Sequence, residues 1–185
     1  MGTIGKHRPV LALVAAFSRH HEALLWARQR MQAAWGPIAL ESDRFPFEET
    51  AFYAATMGTE LKKVFFAFQD LMDPAELVAR KWQSNQWEAE YAACHTGPEP
   101  RPLNLDPGYL TEAKLILAST KDRDHRIYLD RGIFAENTLY YRAGRWEKRP
   151  WTYPDYQRAD YHQFLTLCRD EYRRRKREAT RQGPP

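Results

Sequence analysis

Two cations and an imidazole lie close together in the chain, at Lys121, His125 and Arg126. Fixed positive charges hold phosphate or carboxylate groups, and an arginine guanidinium can give such a group two parallel hydrogen bonds. The neighbouring Asp122 and Asp124 also fit a solvated charged turn, in which the histidine is satisfied locally. The sequence therefore predicts an anion site at Lys121 and Arg126, with the charged turn as the alternative interpretation.

Two carboxylates, Asp106 and Glu136, flank the same segment. If the fold brings them together, they could serve as acid and base or ligate a hard cation such as Mg²⁺. Asp106 stands before a Pro-Gly pair, where an aspartate often hydrogen-bonds the turn backbone instead. Glu136 directly follows an apolar run, so its charge must face solvent or a partner. The ligand-binding candidates are thus Lys121, Arg126, Asp106 and Tyr109, and the candidates for proton transfer are His125 and Glu136.

An aromatic segment, Trp151-Thr152-Tyr153-Pro154-Asp155-Tyr156, precedes the last predicted helix. Its rings could stack on a base or a sugar. The interpretation that we favour is a lid that packs this loop onto the core, with Asp155 near the start of the helix.

Three histidines raise the question of a metal site, because His95 follows Cys94 and His20 is adjacent to His21. Their spacing does not fit a zinc motif, and neighbouring histidines on a helix point about 100° apart. We therefore predict no metal site. Cys168 lies on the apolar face of the last predicted helix and is interpreted as a core residue.

The net charge of +4 is concentrated at the end of the chain. Residues 169–181 hold seven Lys/Arg and three Asp/Glu, whereas the remainder holds 21 of each sign. Cations at a helix C-terminus favour the helix dipole, so a solvated helix end is the simplest interpretation. The alternative is contact with RNA, DNA or an acidic partner. The nucleic-acid-binding candidates are Arg173, Arg174, Arg175, Lys176 and Arg177.

The composition is that of one globular domain over residues 1–185, with a disordered tail expected at about 178–185. The chain has 185 residues, of which 43% are hydrophobic and 28% charged. Two cysteines without a CxxC pair suit a reducing compartment, and we expect a cytoplasmic protein. The longest apolar run, residues 10–17, is too short to cross a bilayer, so we expect no membrane partner.

The first half of the chain predicts the order strand, helix, strand, strand, helix, strand. The strands are expected at residues 9–17, 38–47, 61–68 and 102–105. One helix follows Ser18 and ends at Gly36-Pro37, and the other starts at the capping box of Asp73 and buries Leu77 or Val78 and Trp82. This order is typical of a split βαβ, so we predict an α+β, two-layer, ferredoxin-like sandwich (βαββαβ). A three-layer open α/β sheet is the alternative.

The second half is expected to extend this domain with hairpins and a final helix. A turn is predicted at residues 106–108, a short helix capped by Thr111 over residues 111–117, and strands at 126–129, 133–135 and 138–141. The last helix is expected over residues 157–177, with its apolar face formed by Tyr161, Phe164, Leu165, Cys168 and Tyr172.

Several of these motifs together resemble an uncharacterised bacterial family, domain of unknown function 4416, over residues 6 to about 172. The resemblance is carried by Phe45-Pro46-Phe47, Asp73-Pro74, Asn104 to Thr111, Lys121-Asp122, His125 to Leu129, Ala135-Glu136 and Trp151 to Tyr156. It implies no established activity, and the cofactors stay unknown. Members are often labelled GTP-binding proteins, but this chain has neither a GxxxxGK[ST] loop nor a GxGxxG motif to hold phosphates.

Three functions remain open from the residues alone, and they do not decide whether the protein is an enzyme. The first is binding or acting on a small anionic metabolite, phosphorylated or nucleotide-like, at Lys121, Arg126 and their neighbours. The second is an RNA- or ribosome-associated module that uses the basic C-terminal helix. The third is a structural adaptor whose aromatic grooves take a protein partner.

Overall fold

The computed structural model describes residues 2–3, 5 and 7–182, which form nine strands and four α-helices. The strands are β1 (Val10–Ser18), β2 (Ile38–Glu41), β3 (Phe45–Pro46), β4 (Lys62–Met72), β5 (Asn104–Leu110), β6 (Lys114–Ser119), β7 (Ile127–Asp130), β8 (Ile133–Arg142) and β9 (Arg145–Lys148). The helices are α1 (His21–Trp35), α2 (Ala54–Met57), α3 (Leu77–Cys94) and α4 (Ala159–Gln182). Short 3-10 turns, Pro74–Glu76 and Pro154–Gln157, precede α3 and α4.

All nine strands form one antiparallel sheet in the order β2-β4-β1-β5-β6-β8-β7, with β3 paired to β4 and β9 paired to β8. All nine residues of β1, an interior strand of the sheet, are buried. A continuous run of small and branched apolar residues is what a strand covered on both faces requires. The prediction of a buried first strand is confirmed.

Helices cover both faces of the sheet. Val10, Ala12, Val14 and Ala16 of β1 belong to the core formed with α1 and α3. The alternate residues Leu11, Leu13 and Ala15 pack with α4, because successive side chains of a strand point to opposite faces. The α+β class is therefore confirmed, but the fold is not limited to two layers. Helices lie on both faces of the sheet, as in the alternative prediction of a three-layer open α/β sheet. The strand pairing, however, is antiparallel throughout the described residues.

Local signals at the ends of the helices predicted two of them well. The helix α1 ends at Gly36, which has a φ of +93°. The capping box of Asp73 with Glu76 is formed in front of α3, as its sequence predicts. The expected burial of Trp82 is wrong, because Trp82 is exposed and Trp87 is the buried tryptophan of α3.

The segment from Asn104 to Ser119 differs most from its prediction. The expected turn at residues 106–108 lies inside β5, and the helix expected over residues 111–117 is instead the strand β6. A short apolar run such as Leu115 to Ala118 fits a buried strand as well as a helix, so its pattern does not separate the two. Two of the strands expected afterwards form the single strand β8, and β9 was not predicted.

The final helix is longer than predicted. It buries the expected apolar face of Tyr161, Phe164, Leu165, Cys168 and Tyr172. The tail that was expected to be disordered begins at residue 178, but α4 continues to Gln182, and residues 183–185 lie outside the described part. None of the described helices has the length and apolar character needed to cross a membrane.

Candidate functional site

The sheet is open between β5 and β6 at one end. These strands pair only through Gly108–Leu110 and Leu115–Leu117. At Leu105, side chains of α3 take the place of the missing strand: Glu88 Oε1 accepts from the Leu105 N–H at 2.7 Å, and Lys81 Nζ donates to the Leu105 carbonyl at 2.8 Å. The opening therefore leaves the backbone of β5 hydrogen-bonded while β6 turns away.

A proline and a glycine suit the point where β5 and β6 separate. Pro107 lies two residues after Leu105 and directs its nitrogen to the same open side, where no ladder donor is required. Gly108 lies against β6, and a Cβ there would be 2.2 Å from the backbone carbonyl oxygen of Ile116. The Asp-Pro-Gly sequence thus ends a strand pairing here, instead of forming a turn.

A cavity of about 650 Å³ occupies this opening and is lined both by α3 side chains and by side chains on the sheet face that α4 covers farther along. Its volume is in the range of small-molecule sites. Six cations line it: Lys63, Lys81, Arg101, Lys121, Arg123 and Arg126. The acids are Glu49, Glu88, Asp106, Glu136 and Asp155. Aromatic walls come from Phe17, Phe47, Phe52, Tyr53, Tyr153 and Tyr156.

Four of the six predicted site residues meet in this cavity, namely Lys121, Arg126, Asp106 and Glu136. His125 contacts Glu136 but is not part of the cavity wall, because its ring stacks on Trp151 with 5.1 Å between the ring centroids. Tyr109 packs on the opposite core, with α1 and α3. The expected turn would have held Asp106 and Tyr109 together, whereas a strand directs them to opposite faces.

The guanidinium of Arg126 is bound on all sides by the protein. Its Nε donates to Glu136 Oε2 at 2.9 Å and its Nη1 to the Ser119 hydroxyl and the Lys121 carbonyl at 2.9 and 2.8 Å. Its Nη2 donates to the Tyr153 hydroxyl at 3.0 Å. Arg126 therefore joins β6, β8 and the aromatic segment at the cavity wall, and its donors are already used.

Glu136 is equally well satisfied. Its Oε2 accepts from Arg126 and lies 3.2 Å from His125 Nε2, and its Oε1 accepts from the Thr138 hydroxyl at 3.2 Å. A buried carboxylate needs such partners. The sequence predicts that the charge of Glu136 faces solvent or a partner. In the structure it has a partner, the guanidinium of Arg126.

Asp106 is held in its charged form by two lysines. Burial alone would raise its pKa, but the charges of Lys81 and Lys63 and hydrogen bonds from Lys81 and Asn104 keep the pKa below its ordinary value. Lys81 Nζ lies 3.2 Å from Asp106 Oδ1, and Asn104 Nδ2 donates to Oδ2 at 2.8 Å. The carboxylate is therefore a fixed negative charge in the cavity.

The lowered pKa of Asp106 predicts an acid-dependent loss of stability. Its charge stabilises the native state above the unfolded pKa, and this contribution is lost as the pH falls through the lower folded pKa. Between about pH 5 and about pH 3 the wild type should lose more unfolding free energy than Asp106→Asn, as measured by urea unfolding. The exposed control Asp43→Asn should lose as much unfolding free energy over this pH range as the wild type does. If Asp106→Asn also loses as much as the wild type, the lowered pKa of Asp106 is contradicted.

The sequence-based search missed several cavity residues. Lys63 and Lys81 are buried, and their neighbours show why they could have been found. Lys63 alternates in phase with Phe65 and Ala67 of β4, which are also buried. Lys81 shares the helical spacing of Leu77 and Ser84 on the buried face of α3. Arg101, Asn104 and Asp155 also line the cavity, and no local pattern marks them as cavity residues.

Three side chains that could ligate a metal lie together, and the absence of a metal site stays an untested prediction. His20, His95 and Glu99 place one ligand atom each within 4.8 Å of one another. The sequence spacing fits no zinc motif because the three residues come from separate elements that only the fold brings together. Exposed His21 is not part of the group.

Most of the basic cluster on α4 is engaged with acids. Arg174 and Arg175 contact Glu171 at 2.7 and 2.6 Å. Lys176 contacts Glu112 at 2.5 Å, and Arg173 lies 3.6 Å from the same residue. These pairs fit the solvated helix end, and nucleic-acid binding by this segment stays a prediction.

The fold and the cavity define an α+β protein with a charged, aromatic-walled cavity in an opened antiparallel sheet. Residues 8–172 match the family model described as "Domain of unknown function (DUF4416)", so the chain belongs to this family. The resemblance seen in the motifs is thereby confirmed. No curated protein and no solved structure gives a significant match.

Proposed function

We propose that the cavity binds a small anionic metabolite, phosphorylated or nucleotide-like. The observation that carries the proposal is the pairing of charges. Six cations line the cavity against five acids, and among the described residues neither Lys121 nor Arg123 has a carboxylate at ion-pair distance. A negatively charged ligand would provide the partner for these two side chains.

The electrostatics around Lys121 support this assignment. Partial burial and the charges of Arg101 and Arg126 lower the pKa of Lys121, and Asp106 compensates only in part. An anion between these cations would favour their charged forms. Lys121 and Arg123 are exposed at the cavity mouth, where a ligand can reach them.

The aromatic wall supports a ligand that carries a ring. Phe52 is exposed, and Lys121 Nζ lies 4.7 Å from the centre of its ring. Tyr156 is 3% exposed, and its hydroxyl has no hydrogen-bond partner among the described residues. A base or sugar could stack on the wall and satisfy a buried polar atom of this kind.

The geometry favours binding over acid–base chemistry. The donors of Arg126 are used by the protein, so this residue positions Ser119, Lys121 and Tyr153 instead of clamping the anion as its sequence suggested. His125 lies outside the cavity wall, and Glu136 is saturated by internal contacts. Lys121 and Arg123 are thus the anion-binding residues of this proposal.

Two finer assignments accompany the proposal. The strands β2, β4, β1 and β5 with α1 and α3 are proposed to be a ferredoxin-like unit, supported by their order and antiparallel pairing. A cytoplasmic location is proposed because both Cys94 and Cys168 are free thiols.

The test is a thermal-shift series with inorganic phosphate, sugar phosphates and nucleotides including GTP. A ligand that binds the native state raises the melting temperature, because its stabilisation grows with the logarithm of one plus its concentration over Kd. The shift should be lost in Lys121→Ala and in Arg123→Ala, which remove the proposed partners. Lys62→Ala, an exposed lysine on β4 that is not part of the cavity wall, is the matched control and should keep the shift.

Two results would contradict the proposal. One is the absence of any shift across the series at millimolar ligand. The other is a shift that Lys121→Ala and Arg123→Ala retain in full, because the anion would then bind elsewhere on the chain.

A further inference from the structure

A second polar cluster lies away from the cavity wall, where three elements meet. His20 directly precedes α1, His95 directly follows α3, and Glu99 lies in the segment that leads to β5. None of the three lines the cavity. This cluster is therefore separate from the proposed anion site.

The ligand atoms of the cluster point at one another. Glu99 Oε2 lies 3.1 Å from His20 Nε2 and 3.3 Å from His95 Nε2. Ligands around a tetrahedral zinc ion lie about 3.3 Å apart, given zinc–nitrogen distances of about 2.0–2.1 Å. All three atoms lie within 4.8 Å of one another, so a small movement of the imidazoles would let each contact a shared ion.

The exposed fraction of the three side chains increases from Glu99 to His20. The side chain of Glu99 is 6% exposed, that of His95 is 9% exposed and that of His20 is 22% exposed. The carboxylate is therefore enclosed while the side near His20 remains open to solvent. An ion held here would keep a position for water, as three-ligand zinc sites do.

Neighbouring groups fix the orientation of the ligands. Arg19 Nη1 donates to Glu99 Oε1 at 2.9 Å, which leaves Oε2 directed at the histidines. Glu22 Oε1 lies 3.6 Å from His20 Nδ1, on the side of the ring that faces away from Glu99. Carboxylates behind a ligating imidazole are the usual outer partners of metal sites.

The backbone also comes unusually close to this cluster. A Cβ at Gly97 would lie 2.3 Å from His95 Nε2 and 2.9 Å from Glu99 Oε2. At Gly58 it would lie 2.9 Å from Arg19 Nη1. Two glycines therefore provide the space in which the imidazole and the carboxylate meet.

We propose that His20 Nε2, His95 Nε2 and Glu99 Oε2 bind one divalent transition-metal ion, with zinc as the expected occupant. Two imidazoles and one carboxylate form a donor set that suits zinc and disfavours Ca²⁺ and Mg²⁺, which take oxygen ligands. The ion ties the start of α1 and the end of α3 to the segment before β5. That segment carries Arg101 and Asn104 into the cavity, so the metal stabilises one cavity wall.

The experiment uses the full chain after removal of metals by a chelator. Zn²⁺ is titrated in competition with a chromophoric chelator, and bound metal is counted by elemental analysis. One Zn²⁺ per chain is expected. His95→Ala, His20→Ala and Glu99→Gln should each weaken binding by at least about 100-fold, since loss of an outer partner alone costs about 10–100-fold. His21→Ala is the matched control, because His21 is exposed and adjacent to His20.

A spectroscopic measurement on the wild type does not depend on how the variants fold. Zn²⁺ should shift the ¹⁵N resonances of Nε2 in His20 and His95 and leave those of His21 and His162 unchanged. The proposal is overturned by fewer than about half an equivalent of bound zinc, or by a preference for Ca²⁺ or Mg²⁺. Wild-type affinity in folded Glu99→Gln and His95→Ala, or binding lost in Cys94→Ser, would overturn it as well.

Discussion

Lys63→Met is expected to lower the free energy of unfolding by about 3–5 kcal/mol, because it leaves a buried carboxylate without its counter-charge. The side chains of Lys63 and Asp155 are only 4% and 5% exposed, and they form a direct ion pair at the cavity wall. Lys63 Nζ also lies 3.9 Å from the centre of the Phe47 ring. Methionine keeps much of the packing volume and removes the charge. The loss of unfolding free energy therefore measures mainly the cost of leaving Asp155 buried without a counter-charge.

Chemical denaturation of the single and double variants separates charge from packing. The double variant Lys63→Met/Asp155→Leu should recover most of the loss, since replacing both members of a buried pair by apolar residues is often neutral or stabilising. Lys62→Met, at the exposed neighbouring position, should change the unfolding free energy by less than about 0.5 kcal/mol. A double variant that loses the sum of both single effects would show that the pair is not buried as described.

Arg126→Ala is expected to cost about 3–5 kcal/mol as well, since it removes the cation that neutralises Glu136. The side chains of Arg126 and Glu136 are 4% and 3% exposed. The variant also leaves the hydroxyls of Ser119 and Tyr153 without one hydrogen bond each. The aromatic segment and the end of β6 should therefore loosen together, which hydrogen exchange at residues 119–121 and 151–156 would detect.

Arg123→Ala serves as the control for this prediction. Arg123 is exposed and lines the same cavity, but no ion pair ties it to the protein among the described residues. Its removal should change the unfolding free energy by less than about 0.5 kcal/mol. Arg126→Lys should restore only part of the stability, because a single ammonium cannot replace a fork of donors. Similar losses in Arg123→Ala and Arg126→Ala would contradict the positioning role of Arg126.

These variants distinguish two kinds of cation in the cavity. Lys63, Lys81 and Arg126 are bound to internal carboxylates or carbonyls and keep the opened sheet stable. Lys121 and Arg123 lack a carboxylate partner among the described residues and are proposed to hold the ligand. Substitution of the first kind should reduce stability, whereas substitution of the second kind should reduce binding.

The elements with strong local signals were predictable from the sequence. The buried run of β1, the glycine that ends α1 and the capping box of Asp73 each act within a few residues. The apolar face of α4 repeats at helical spacing, and its burial is confirmed from Tyr161 to Tyr172. At these places a short window of sequence contains the whole physical cause of the structure.

The region from Asn104 to Ser119 shows where this reasoning fails. Asp-Pro-Gly usually favours a turn, and a short apolar run fits helix or strand equally well. The result depends on β1, which pairs with β5 from Asn104 to Leu110, and on the α3 side chains that hydrogen-bond Leu105. Tertiary pairing overrides the local preference here, and this override opens the sheet.

The family and the α+β class were readable from the motifs and the pattern of elements along the chain. Four of the charged residues that share the cavity were predicted as well, because charges of these types must find partners or solvent. Which partner each charge finds depends on the folded arrangement. Lys63 meets Asp155 across 92 positions, and His20 meets Glu99 across 79. The energy of a buried charge depends on the distance to its counter-charge and on the solvent removed around it. Both quantities arise when distant segments pack, so no local pattern records them.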